Sequence, residues 1–176
     1  TFPPGDAEAL AHVRCVDPDC IDASKLVTLP ASRRARVLRR WIASCGLPPL
    51  PAEGVARIER DLLGEARDDV PEFAWRDAVV RRWRDLLWAE RRQPSLPDGF
   101  HVEWRGDAPL ALPTGGQLRF PAVHGSLDDT WVVHARRGGE RITLPGRKHS
   151  HALKHVLQEL GVPPWLRERL PLLSSA

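Results

Sequence analysis

Apolar positions fall at helical spacing through the first third of the chain and shift to short strand-like runs after residue 100, with proline and glycine marking the joints. Ala7 to Arg14 fits a first helix, and Asp22 can cap a second over Ala23 to Leu29. The clearest stripe is Val37, Leu38, Trp41, Ile42 and Cys45, which predicts a helix from Ala31 to Cys45 entered at Pro30 and left at Gly46. Beyond the rigid Pro48-Pro49-Leu50-Pro51 turn, Val55, Ile58 and Leu62 predict a fourth helix ending near Gly64. Phe73 to Arg92 is divided: Val79, Val80, Trp83, Leu86 and Leu87 fit a helical stripe, and the same Val- and Trp-rich run fits short strands turning near Asp85. Pro94 to Gly99 is a break.

From Phe100 the expected elements are strands and turns. His101 to Trp104, Gln117 to Phe120 and Trp131 to Ala135 are short β-like runs, separated by Pro113-Thr114-Gly115-Gly116 and by the polar stretch Gly125 to Asp129. That second loop is the expected domain boundary, giving residues 1–125 and 126–176. In the terminal part, Trp131 to Arg137 and Glu140 to Leu144 flank Gly138-Gly139, which predicts a tight hairpin with arginines at its tip. Ser150 is a good cap for a following helix that buries Leu153, Val156, Leu157 and Leu160 and stops at Gly161. Pro164 suits the first position of a last short helix, and Trp165 beside two prolines reads as a core anchor.

Composition bounds this picture without sharpening it: 176 residues with 42% apolar content suffice for one or two folded domains. No apolar run reaches the length of a membrane span, and the first residues lack the order of a signal peptide, so a cytoplasmic protein is expected. Cys15, Cys20 and Cys45 form neither a disulfide framework nor a zinc site and read as reduced and structural. The chain begins at Thr1 and contains no methionine, as expected of a piece of something longer.

Charge changes the picture more. Residues 1–92 carry a net +1, residues 93–130 a net −3, and residues 131–176 a net +5, with four of the seven histidines in that last span. This asymmetry points to a polyanion. Arg147, Lys148 and His149 precede the expected helix at Ser150, where backbone N–H groups and the helix dipole favour an anion; His151, Lys154 and His155 lie on its outer face. A zinc site on His149, His151 and His155 is disfavoured by the basic setting and the lack of a matching carboxylate or cysteine. A glycosidase carboxylate pair, a Gly-x-Ser-x-Gly elbow and a Walker loop are all missing, so the chain shows no catalytic constellation. Arg33, Arg36, Arg39 and Arg40 line one face of the third helix, where a solvated face paired with acidic neighbours is the plainer reading.

The ordered run Gly138-Gly139-Glu140-Arg141, Leu144-Pro145-Gly146-Arg147, His149, Leu153-Lys154, Gln158-Glu159, Gly161, Pro163-Pro164-Trp165, Arg167, Arg169 and Pro171-Leu172-Leu173 resembles the C-terminal domain of tRNA(Ile)-lysidine synthases. Upstream, LPASRRARVLRRWIASCGLPPLP and the Val55 to Gly64 helix are similar to that family's middle, substrate-binding domain. The resemblance implies an α+β protein: a helical substrate-binding domain with a small antiparallel sheet, its strands covering Phe73 to Arg92, and then a small α+β C-terminal domain. It also implies an ATP-dependent ligase that joins lysine to the wobble cytidine of a minor isoleucine tRNA. ATP and magnesium are implied for the complete enzyme, whose Ser-Gly-Gly-x-Asp-Ser loop does not occur here. Catalysis, lysine and ATP are therefore expected on an N-terminal domain outside these residues, with no cofactor in this fragment. The expected role is tRNA holding, with Arg136, Arg137, Arg141, Arg147, Lys148, His149, His151, Lys154, His155, Arg167 and Arg169 as contacts and Arg33, Arg36 and Arg40 assisting. The alternative is a basic protein-interaction or homodimerisation module.

Overall fold

The computed structural model describes residues 5–64, 70–120, 130–146 and 148–175. The chain divides into two compact units, Thr1–Arg92 and Gln93–Ala176. The boundary expected at 125/126 lies outside the described residues; within the second unit a strand at His101–Trp104 pairs with one at Trp131–His134.

The first unit starts with α1 (Gly5–Val13), β1 (Cys20–Asp22), α2 (Ala23–Val27) and α3 (Ala31–Ser44). Asp22 caps α2, its carboxylate accepting the Lys25 N–H at 3.1 Å. The stripe of α3 buries as the spacing requires: Val37, Leu38 and Trp41 are fully covered, and the Trp41 indole N–H donates to the Pro18 carbonyl at 3.3 Å. Gly46, at φ 65°, ends the helix in the left-handed region that glycine adopts without penalty. The fourth helix is a single turn, α4 (Gly54–Arg57), that widens into a π-helical turn over Ile58–Leu62, with Ile58 and Leu62 both buried.

Residues 72–91 are strands, as the family resemblance implied, which resolves the divided reading of their spacing. β2 (Glu72–Trp75), β3 (Ala78–Trp83) and β4 (Leu86–Arg91) form a meander, and β1 adds to the far edge of β4, giving the antiparallel order β1-β4-β3-β2. Both hairpin loops contain two residues, Arg76-Asp77 and Arg84-Asp85, and in each the arginine takes positive φ, 47° and 56°. The core is where the helices meet this sheet: Leu10, Val13, Leu26, Leu38, Trp41, Ile42, Ile58, Leu62, Val80 and Leu87 form one buried cluster.

The second unit is built on a three-stranded antiparallel sheet. β5 (His101–Trp104) and a last strand, Leu172–Ser175, flank β8 (Trp131–His134). Between β5 and β8 lies a short hairpin of β6 (Leu110–Ala111) and β7 (Gln117–Leu118), followed by Phe120, which stacks on Trp104 with centroids 4.7 Å apart. After β8 come β9 (Arg141–Thr143), β10 (Ser150–Ala152), α5 (Leu153–Glu159), α6 (Pro164–Arg169) and finally the strand Leu172–Ser175, which is β11. Leu96, Trp104, Val133, Ala135, Leu153, Val156, Leu157 and Trp165 are buried here, so Trp165 is the core residue that its proline neighbours predicted.

Two expectations change. Gly138 and Gly139 do turn the chain, at φ 84° and 78°, but β8 and β9 do not pair across them. β8 pairs with β5 and β11, and β9 pairs with β10. Leu160 is also not part of the buried face: it follows the last helical residue and is 72% exposed.

Candidate nucleic-acid interface

The basic surface of the second unit is organised where the chain leaves β8. Ala135 is buried, Arg136 is half-buried, and the backbone then turns at Gly138-Gly139 before entering β9. The Glu140 carboxylate closes that turn. One oxygen accepts the N–H groups of Arg137 at 2.6 Å and Gly138 at 2.7 Å, and the other accepts from the Arg136 guanidinium at 3.3 Å. Burial pushes the Glu140 carboxyl upward in pKa, but the N–H groups of Gly138 and Arg137 and the Arg136 side chain outweigh it and hold it below the ordinary glutamate value. Arg136 also donates to the Arg167 carbonyl at 3.1 Å, and Arg167 donates through Nε to the Val162 carbonyl at 2.6 Å.

These contacts shape one wall of a groove of about 480 Å³. Arg136, Lys154 and Arg167 line it, with Gly138 and Pro164 beside them and Ser95, Leu96 and Asp98 supplied by the segment that precedes β5. Glu168 is also at its edge. Three cationic residues therefore line a concavity, Arg136 already paired with Glu140, whose other polar groups are a hydroxyl and two carboxylates; exposed Lys154 is placed to meet a phosphate.

The other candidates are spread around this groove's unit. Arg137 is exposed, and among the described residues its guanidinium has no partner. Arg141 is held against the β9–β10 pair, donating to the Ser150 hydroxyl at 2.9 Å and the Ser150 carbonyl at 2.6 Å. Lys148, His149, His151, Lys154 and His155 are exposed, Arg169 is half-buried, and Arg147 lies outside the described residues. In the first unit, Arg33 is exposed on α3, Arg40 is half-buried, and Arg36 is committed to the fold by its pairing with the buried carboxylate of Asp6.

The anion corner predicted at Ser150 is not formed. Ser150 lies in β10, opposite Thr143, and α5 begins three residues later. Its first N–H, on Leu153, is already taken by the Glu140 carbonyl at 2.8 Å. Lys148 and His149 thus lead into a strand, and the cationic surface rests on side chains rather than on a helix terminus. Glu140 is the organising residue that spacing and charge did not single out; the signal was a carboxylate placed directly after two glycines in a run of arginines. Among the described residues no three His, Cys, Asp or Glu side chains converge as metal ligands.

Two family models match in chain order: the TilS substrate binding domain over residues 21–88 and the TilS substrate C-terminal domain over residues 132–176. The chain is 47% identical over 163 residues, 90% of its length, to the tRNA(Ile)-lysidine synthase of Xylella fastidiosa strain Temecula1. It is 43% identical over 178 aligned positions, 96% of its length, to that of Xanthomonas campestris pv. campestris strain 8004. These alignments cover 37% and 41% of the two relatives, so the chain spans well under half their length. The chain belongs to the tRNA(Ile)-lysidine synthase family and carries its substrate-binding and C-terminal domains.

Proposed function

We propose that this chain is the tRNA-holding part of a cytoplasmic tRNA(Ile)-lysidine synthase, the ATP-dependent ligase that joins lysine to the wobble cytidine of minor isoleucine tRNA. The observation that carries the proposal is the coincidence of the C-terminal domain match with the groove lined by Arg136, Lys154 and Arg167. The second unit grips phosphate through these side chains and the exposed Arg137 and Lys148, while the first unit helps position the substrate. Recognition of a folded RNA then rests on phosphate contacts and shape rather than on reading paired bases. No helix among the described residues is long and apolar enough to cross a membrane.

The test is binding of labelled tRNA to the 176-residue chain across a salt series. Log affinity is expected to fall by somewhat less than about 1 for each phosphate neutralised per tenfold rise in salt. Lys148→Glu and Lys154→Glu should weaken binding far more than Arg57→Glu, the same charge reversal at a half-exposed arginine of the first unit paired with Asp61. Equal losses at all three positions would reject the assigned surface.

A further inference from the structure

A carboxylate amid Arg136, Arg137 and Arg141 works against binding of a polyanion by simple charge counting, so Glu140 needs a geometric account. Its two carboxylate oxygens and its carbonyl make separate ties. One oxygen bridges the successive N–H groups of Arg137 and Gly138, and the other holds Arg136. Its carbonyl accepts the Leu153 N–H that starts α5, one residue before Lys154. One residue therefore joins the strand exit that carries Arg136 and Arg137 to the helix that carries Lys154.

The turn it closes is open on the outside. A Cβ built on Gly138 or on Gly139 would meet nothing within 4 Å, so the glycines are needed for their positive φ and not for lack of room. With both N–H groups bonded inward to Glu140, the backbone at Arg137 is fixed while its guanidinium remains exposed. Held in place before RNA arrives, that side chain loses less freedom on binding than one carried by an untethered loop.

We propose that Glu140 is a positioning residue for tRNA: by tying Arg137, Gly138 and Arg136 to one carboxylate, it sets the direction in which Arg137 meets phosphate and keeps Arg136 in the groove wall. This rests on the reading of the second unit as a tRNA-holding surface, and it adds a residue that touches no RNA itself.

The sign of one substitution separates this role from charge alone. Glu140→Gln removes a negative charge and on electrostatics alone should tighten binding. The amide can still accept from the two N–H groups, but its NH2 then faces the Arg136 guanidinium, donor against donor. At a temperature where melting curves show the variant folded, the expected result is about tenfold weaker tRNA binding with a salt slope shallower by about 1. Arg137→Ala should cost much less in the Glu140→Gln background than in the wild-type chain, since each change removes the same contact. Glu140→Asp, which keeps the charge and shortens the reach, is the second variant and should lose affinity likewise. Wild-type or tighter binding by both variants, or additive effects of Glu140→Gln and Arg137→Ala, would overturn the positioning role alone. A wild-type chain that fails to bind tRNA would overturn the functional reading and this inference with it.

Discussion

Arg36 on α3 holds Asp6 on α1 through Nε, 2.9 Å from one carboxylate oxygen and 3.1 Å from the other, and Asp6 is only 1% exposed. The pair explains how a charged residue sits in the first turn of a helix packed against the core, and it makes one arginine of a basic helix face structural. Removing Arg36 leaves a buried carboxylate without its partner. A fully buried pair broken this way loses about 3–5 kcal/mol, and because the Arg36 side chain is 41% exposed a smaller loss, about 2–3 kcal/mol, is expected for Arg36→Ala. Arg39→Ala, exposed on the same helix, should stay within about 0.5 kcal/mol. Urea unfolding of both variants decides it, and similar midpoints would show that the Asp6 contact contributes little.

The short helix α5 makes a second contrast between neighbouring leucines. Leu157 is buried and Leu160 is 72% exposed. Leu157→Ala should destabilise the second unit by about 2–3 kcal/mol, and Leu160→Ala by less than about 0.5 kcal/mol. Hydrogen exchange of α5 amides would report both, and comparable loss of protection would mean that Leu160 packs after all.

Acid should act on the second unit through Glu140. Its folded carboxyl is held below the ordinary value, so its contribution is complete above the unfolded glutamate pKa, about 4.3, and is lost as pH falls through the lower folded value. The stability gap between wild type and Glu140→Gln is therefore expected to be constant from pH 7 to about pH 5 and to close below about pH 4. Denaturation midpoints at pH 7, 5 and 3 measure it. A gap unchanged at pH 3 would show that the carboxylate's ionisation is immaterial.

The cysteines give a prediction about reactivity. Cys20 is buried with its sulfur 3.3 Å from that of Cys15, and burial first, then that contact, push its thiol far up. Burial and the charge of Asp19 raise Cys45 to about 11. Since the thiolate is the nucleophile, iodoacetamide at neutral pH should leave both nearly unlabelled in the native chain and label all three cysteines in urea. Rapid native labelling of Cys20, read by mass spectrometry, would contradict the packing around it.

How much of this was legible in the sequence depends on which signal each element uses. α3 and the α2 cap could be read because stripe spacing and an Asp before a short apolar run are local features. The β2–β4 meander was obscured for two physical reasons. Its tight loops place arginines, not glycine or asparagine, at positive φ, and Ala78, Val79 and Val80 are buried in succession, which erases the alternation expected of a strand. Ser150 imitates a helix cap, and only its pairing with Thr143, a tertiary fact, makes it a strand. In the candidate site, the cations were visible by count, but not which of them the fold already holds. Arg36 and Arg141 have protein partners, and Glu140, which a charge census sets against RNA, is what arranges the turn.

The pairing of β8 also bears on the order in which the chain can fold. In the first unit β2, β3 and β4 meet through two-residue loops, so most of that sheet needs only neighbours in sequence. β8 must instead capture β5 from thirty residues upstream, His101 opposite His134, and β11 from nearly forty downstream, Leu172 opposite His134 on the other side. Long loops must close before either pairing is rewarded, which slows such sheets. Refolding is thus expected in two phases, with the meander of the first unit ahead and the sheet of the second unit, with the basic groove beside it, completed last.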